Sequence, residues 1–118
     1  MTNQERLLDM TGNSETQFQL SVIEYAKLHG WRVAHFRVAR TARGWRTPVQ
    51  ADGAGFPDLI MTRRGCSEGR LVIAELKSKK GKVSKDQRLW LDAFTMVENV
   101  EVYVWRPEDR AEIEEVLR

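Results

Sequence analysis

Two short runs in the middle of the chain, Phe56-Pro57-Asp58-Leu59-Ile60 and Ile73-Ala74-Glu75-Leu76-Lys77, constrain the fold more than any other feature. Each contains an apolar stretch of strand length, and each carries charge where a fully buried strand would carry none. Residues two apart on a strand share a face, so Glu75 and Lys77 project together past Leu71 and Ile73. Asp58, at the start of the earlier strand, completes a set of two carboxylates and one ammonium if the strands are neighbours. Two carboxylates at a sheet edge suit a hard, oxygen-seeking cation such as Mg²⁺, which keeps several waters. Such a cation lowers the pKa of water, and Lys77 would orient that water or offset phosphate charge. This set suits metal-assisted phosphodiester hydrolysis. Taken alone, Glu-x-Lys is an ordinary ion pair at a strand end and Pro-Asp an ordinary turn. The two in order, at predicted strands and followed at once by a lysine-rich segment, are far more specific.

The flanking sequence supplies an α/β framework for these strands. Residues 1–13 show little pattern and read as an irregular lead-in to a single domain over residues 14–118. Ser14 and Gln17 have capping-box spacing, and Phe18, Val22, Tyr25 and Ala26 mark one helical face that Gly30 ends. Residues 31–38 alternate, with Ala34, Phe36 and Val38 on one side, which predicts a strand. Residues 39–56 hold Arg40, Arg43, Trp45, Arg46, Gly44, Pro48, Gly53 and Gly55 and read as a long basic loop. Strands follow over 58–62 and 71–77, then a helix from the second capping box, Ser84 and Gln87, to about Val97. A strand over 100–105 and a helix begun by Pro107 complete the order α-β-β-β-α-β-α around a mixed central sheet.

Length and composition exclude several classes. A chain of 118 residues fits one domain, and it has no apolar run long enough for a membrane span. The N-terminal residues lack an apolar signal-peptide core, so a cytoplasmic location is expected. Cys66 is the single cysteine and cannot form an internal disulfide; with only His29 and His35 beside it, a structural zinc site is implausible. Nothing calls for a small-molecule cofactor. The net charge of +2 conceals a strong asymmetry, because residues 31–85 carry thirteen basic and four acidic side chains, for +9. Such a segment creates a local positive field suited to a polyanion, although a solvated Arg and Lys surface gives the same count. Candidate phosphate contacts are Arg37, Arg40, Arg43, Arg46, Lys79, Lys80, Lys82 and Lys85. Trp45, between two arginines, has the chemistry to stack on an unpaired base or to anchor its loop against the core. Trp31, Trp90 and Trp105 read as packing residues.

Three separated motifs carry a family resemblance: Gly55-Phe56-Pro57-Asp58-Leu59, Ala74-Glu75-Leu76-Lys77, and Val83-Ser84-Lys85-Asp86-Gln87-Arg88-Leu89-Trp90-Leu91. Together they resemble the virus-type replication-repair nuclease (VRR-NUC) domain of the PD-(D/E)xK superfamily, whose fold is similar to archaeal Holliday-junction resolvases. The resemblance covers about residues 14–106. It implies a restriction-endonuclease-like core, with Asp58 and Glu75 as metal-binding acids and the Leu76 carbonyl as a further metal ligand. It also makes Lys77 the catalytic lysine and puts Gln87 near the active site. Glu15 matches an acidic residue of the family's first helix that faces the metal site, and it also suits the helix dipole on its own account. The expected cation is Mg²⁺, with Mn²⁺ able to substitute. The expected substrate is DNA, branched or flapped, in replication, recombination or repair. Stand-alone members are common in phage genomes and are often dimers, so a homodimer in a bacterial host is expected. The rival readings are a non-catalytic DNA-binding module of the same fold and an RNA-directed nuclease with the same site.

Overall fold

The computed structural model describes residues 15–36, 39–41, 44–46 and 49–118, with only the backbone described for 39–41 and 44–46. Helix α1 spans Glu15–Leu28, and strand β1 follows at Arg32–His35. Two three-residue strands, β2 (Ala39–Thr41) and β3 (Gly44–Arg46), come next. Strands β4 (Leu59–Arg64) and β5 (Gly69–Leu76) precede helix α2 (Lys85–Thr95) and strand β6 (Val100–Trp105). A 3-10 turn at Pro107–Asp109 leads into helix α3 (Arg110–Leu117). The predicted lead-in and the Ser14 cap lie outside the described residues.

The main sheet has the order β1-β4-β5-β6, antiparallel except for the parallel β5–β6 pair. A parallel pair needs a crossover, and α2 supplies it. Val72, Ala74 and Leu76 alternate onto one face, where Leu59, Met61 and Trp105 join them under Phe18, Val22, Tyr25 and Ala26 of α1 and Ile113 and Leu117 of α3. Ile73 and Glu75 are buried on the opposite face, the side on which α2 buries Leu91. The result is a three-layer α/β/α arrangement with both faces of β5 covered, which accounts for its almost continuous apolar sequence.

One local expectation changes. The segment read as one basic loop contains the β2–β3 hairpin, with Arg40 opposite Trp45. In β1 the face that packs against the core is that of Val33, while Ala34 is exposed. Phe36, just beyond the strand, turns to the α2 side and packs edge-on against Phe56. Gly30 ends α1 as expected, with a φ of 86° that favours a residue without a Cβ.

Candidate active site

The N-terminal end of β4 lies beside the C-terminal end of β5, and the charged residues of both motifs meet there. The β4–β5 ladder ends with Leu59 paired to Ala74; carried on in the same register, it would set Asp58 opposite Glu75 and Pro57 opposite Leu76. The Asp58 carbonyl accepts from Phe36 N–H at 2.8 Å, so that carbonyl bonds toward β1. In that register Asp58 and Glu75 are cross-strand neighbours, and antiparallel side chains so placed approach closely.

Pro57 completes the arrangement by what it lacks. A residue opposite Leu76 would ordinarily donate its N–H to the Leu76 carbonyl, and proline has none to give. The Leu76 N–H finds a substitute acceptor in Asp58 Oδ2 at 2.8 Å. That bond fixes the Asp58 carboxylate beside β5, and Pro57 has no N–H to offer the adjacent carbonyl.

Glu75 is 2% exposed. Its Oε2 lies 3.6 Å from Lys77 Nζ, while its Oε1 is buried with no hydrogen-bond partner. Burial, followed by the Asp58 charge, pushes the Glu75 carboxyl from its ordinary 4.5 up to about 8, against the opposing pull of Lys77. Asp58 is raised as well, first by burial, with the Glu15 charge adding and the Leu76 N–H and Lys77 opposing. A buried carboxyl beside a half-buried one cannot ionise cheaply, so Glu75 holds its proton well above the usual carboxylate range, and a cation would displace it.

An orphaned buried carboxylate oxygen, a fixed neighbouring carboxylate and a backbone carbonyl to which Pro57 cannot donate form a hard-oxygen set. These residues fit a divalent cation of the Mg²⁺ type, and Asp58, Glu75 and the Leu76 carbonyl would hold it. Among the described residues there is no group of three His, Cys, Asp or Glu side chains close enough to hold a metal ion. Glu15, exposed at the first residue of α1, is near enough for its charge to act on Asp58.

The loop before Asp58 is fastened to α2. Gly55 has a φ of 77°, and a Cβ there would stand 2.6 Å from the Asp86 carbonyl carbon and the Gln87 nitrogen, so only glycine fits between loop and helix. Phe56 packs edge-on against Trp90, and Trp90 Nε1 donates to the Asp52 carbonyl at 2.9 Å. That bond steadies a loop in which Ala51 holds a φ of 58°, a left-handed conformation costing about 1–2 kcal/mol for a non-glycine residue. Gln87 and Ser84 form the capping box, with Gln87 Oε1 accepting from Ser84 N–H and Ser84 Oγ accepting from Gln87 N–H. The Ser-x-x-Gln-x-x-Trp motif thus has a physical content: it starts the helix and ties down the loop that carries Asp58.

The structure brings Asp58, Glu75, Leu76 and Lys77 together, with Gln87 at the adjoining helix start. Lys79, Lys80, Lys82 and Lys85 are exposed on the segment between β5 and the first turn of α2. Arg40, Trp45 and Arg46 lie on the hairpin strands, while Arg37 and Arg43 lie outside the described residues. Sequence reasoning read Trp90 as packing alone and missed its bond to the loop; its position three residues after Gln87, on the same helical face, is the available signal. No described helix is long and apolar enough to cross a membrane.

No curated protein and no solved structure gives a significant match to the chain. The sequence model of the VRR-NUC domain matches residues 5–108, a span that contains all three motifs and the whole β4–β5 site. The chain therefore belongs to the VRR-NUC family, nucleases of the PD-(D/E)xK superfamily, which generally use divalent metals.

Proposed function

We propose that the protein is a Mg²⁺-dependent endonuclease that hydrolyses DNA phosphodiester bonds and selects branched or flapped substrates. The observation that carries this reading is the half-buried Asp58 beside buried Glu75 and Lys77, with an oxygen of Glu75 left unpartnered. A divalent cation held there supplies a Lewis acid and lowers the pKa of water. Asp58 and Glu75 provide the anionic seat, and the Leu76 N–H keeps Asp58 aimed at it. The Lys77 ammonium, held against Glu75, orients the attacking water or neutralises the charge that develops on the phosphate. Exposed Lys79, Lys80, Lys82 and Lys85 flank the site and suit backbone phosphates, contacts that position a duplex without reading its sequence. Arg40 and Trp45 are register partners in the hairpin backbone, and a basic and an aromatic residue together have the chemistry to take an unpaired base at a branch point.

The test is cleavage of labelled duplex, flap, splayed-arm and four-way-junction DNA, with matched RNA, in Mg²⁺, Mn²⁺ or EDTA. Lys77→Ala is expected to abolish cutting while retaining DNA binding. Undiminished cutting by Lys77→Ala, or by the unaltered chain in EDTA, refutes the mechanism. Cutting of RNA alone reassigns the substrate.

A further inference from the structure

Strand β6 ends beside the C-terminal end of β5, and the residue that follows it, Arg106, reaches back across the site's border. Its Nη1 donates to two backbone carbonyls, those of Ser78 at 2.8 Å and Gly81 at 2.5 Å. Those carbonyls belong to one turn, closed by Gly81 N–H to the Ser78 carbonyl at 3.2 Å. The turn packs on the stem of Lys77: a Cβ at Gly81 would meet Lys77 Cδ at 3.5 Å and Ser78 Oγ at 2.9 Å. Arg106 is itself well anchored. Its backbone N–H donates to Asp109 Oδ2 at 2.8 Å, and the preceding Trp105 carbonyl accepts the Lys77 N–H at 2.9 Å.

We infer that Arg106 is a positioning residue for the nuclease reaction: by clamping the Ser78–Gly81 turn it holds the Lys77 ammonium against Glu75 and sets the exposed Lys79 and Lys80 beside the scissile phosphate. This rests on the proposed nuclease reading for its consequence in catalysis, though not for the contact itself. A guanidinium suits the task because it is permanently charged and its planar –NH₂ groups are pre-organised donors for carbonyl oxygens. The charge also adds to the positive border of an acidic site without entering it. A lost clamp would leave the fold intact, since the core contains neither the turn nor Arg106, and would let the Lys77 stem drift. Small displacements of a reacting group are costly in rate.

The experiment compares Arg106→Met, which keeps an apolar stem without donors or charge, with Arg106→Lys, which keeps a charged nitrogen able to serve both carbonyls. Single-turnover cleavage is measured with protein in saturating excess over flap DNA and with saturating Mg²⁺, and binding is measured separately in Ca²⁺. Arg106→Met is expected to slow cleavage by about tenfold or more at saturation, and Arg106→Lys to return within about threefold of the unaltered rate. An unaltered rate in Arg106→Met, or a lysine variant no faster than the methionine variant, overturns the assignment. If the unaltered protein cuts no nucleic acid with any cation, the nuclease reading fails, and the positioning role is decided on the protein alone. Hydrogen exchange at Gly81 and the NMR signal of the Lys77 Cε–Nζ group then serve as readouts. Faster exchange and a shifted Lys77 signal in Arg106→Met support the clamp, and unchanged values of both overturn it.

Discussion

Replacing Glu75 by Gln is expected to stabilise the metal-free protein while abolishing its activity. The Glu75 carboxyl titrates at about 8 in the folded chain against an ordinary 4.5. A carboxyl raised in this way binds its proton more tightly in the folded state, so stability falls as pH rises through this window. The contribution is fully present below pH 4.5 and lost once pH passes 8. A shift of 3.5 units corresponds to a ceiling of about 5 kcal/mol. Glutamine cannot ionise and is nearly isosteric, so it avoids this cost and no longer places a second charge beside Asp58. Urea unfolding in EDTA at pH 5, 7 and 9 is the assay. The variant should match the parent at pH 5 and exceed it by at least about 2 kcal/mol at pH 9, allowing for relaxation around the buried charge. Saturating Mg²⁺ at pH 8 should then stabilise the parent, by about 2.7 kcal/mol at a hundredfold excess over Kd, and leave the variant unmoved. A difference between the two proteins that stays constant from pH 5 to pH 9 would refute the reasoning, because the penalty would not then come from ionising Glu75.

Gly55→Ala should lower stability by about 2–4 kcal/mol and impair cleavage, since the added Cβ meets the α2 backbone at 2.6 Å in a left-handed conformation; an unshifted thermal midpoint would show that loop and helix move apart freely. Glu15→Gln should reduce cleavage by about tenfold, roughly 1.4 kcal/mol of transition-state stabilisation, and alter the Mg²⁺ requirement with little change in melting temperature. Parental cleavage at every Mg²⁺ concentration would confine Glu15 to its helix. Combined replacement of Arg40, Arg43 and Arg46 by Ala should flatten the salt dependence of DNA affinity, because fewer counterions are released; an unchanged slope would assign the hairpin another task.

What the sequence could and could not disclose follows from the range over which each feature is encoded. The second capping box was legible because Ser84 and Gln87 satisfy each other three residues apart, and a local rule describes both partners. Strand β5 was legible because both its faces are covered, which leaves a continuous apolar run ending in Glu75 and Lys77. In β1 the alternation marked a strand without saying which face is inward: Val33 meets the core and Phe36 meets Phe56 on the other side, so both faces carry apolar residues. The β2–β3 hairpin escaped because its strands are only three residues long and lack an apolar period. The meeting of Asp58 with Glu75 depends on register, and register is set by the entire β4–β5 ladder together with its turn. Arg106 was the least accessible of all. Its acceptors are backbone carbonyls, which every residue possesses, so nothing in the identities of Ser78 and Gly81 announces that a guanidinium some twenty-five residues later will bind them. Groups that act through side chains leave their signature in the sequence, whereas groups that act on the backbone become visible only once the chain has folded.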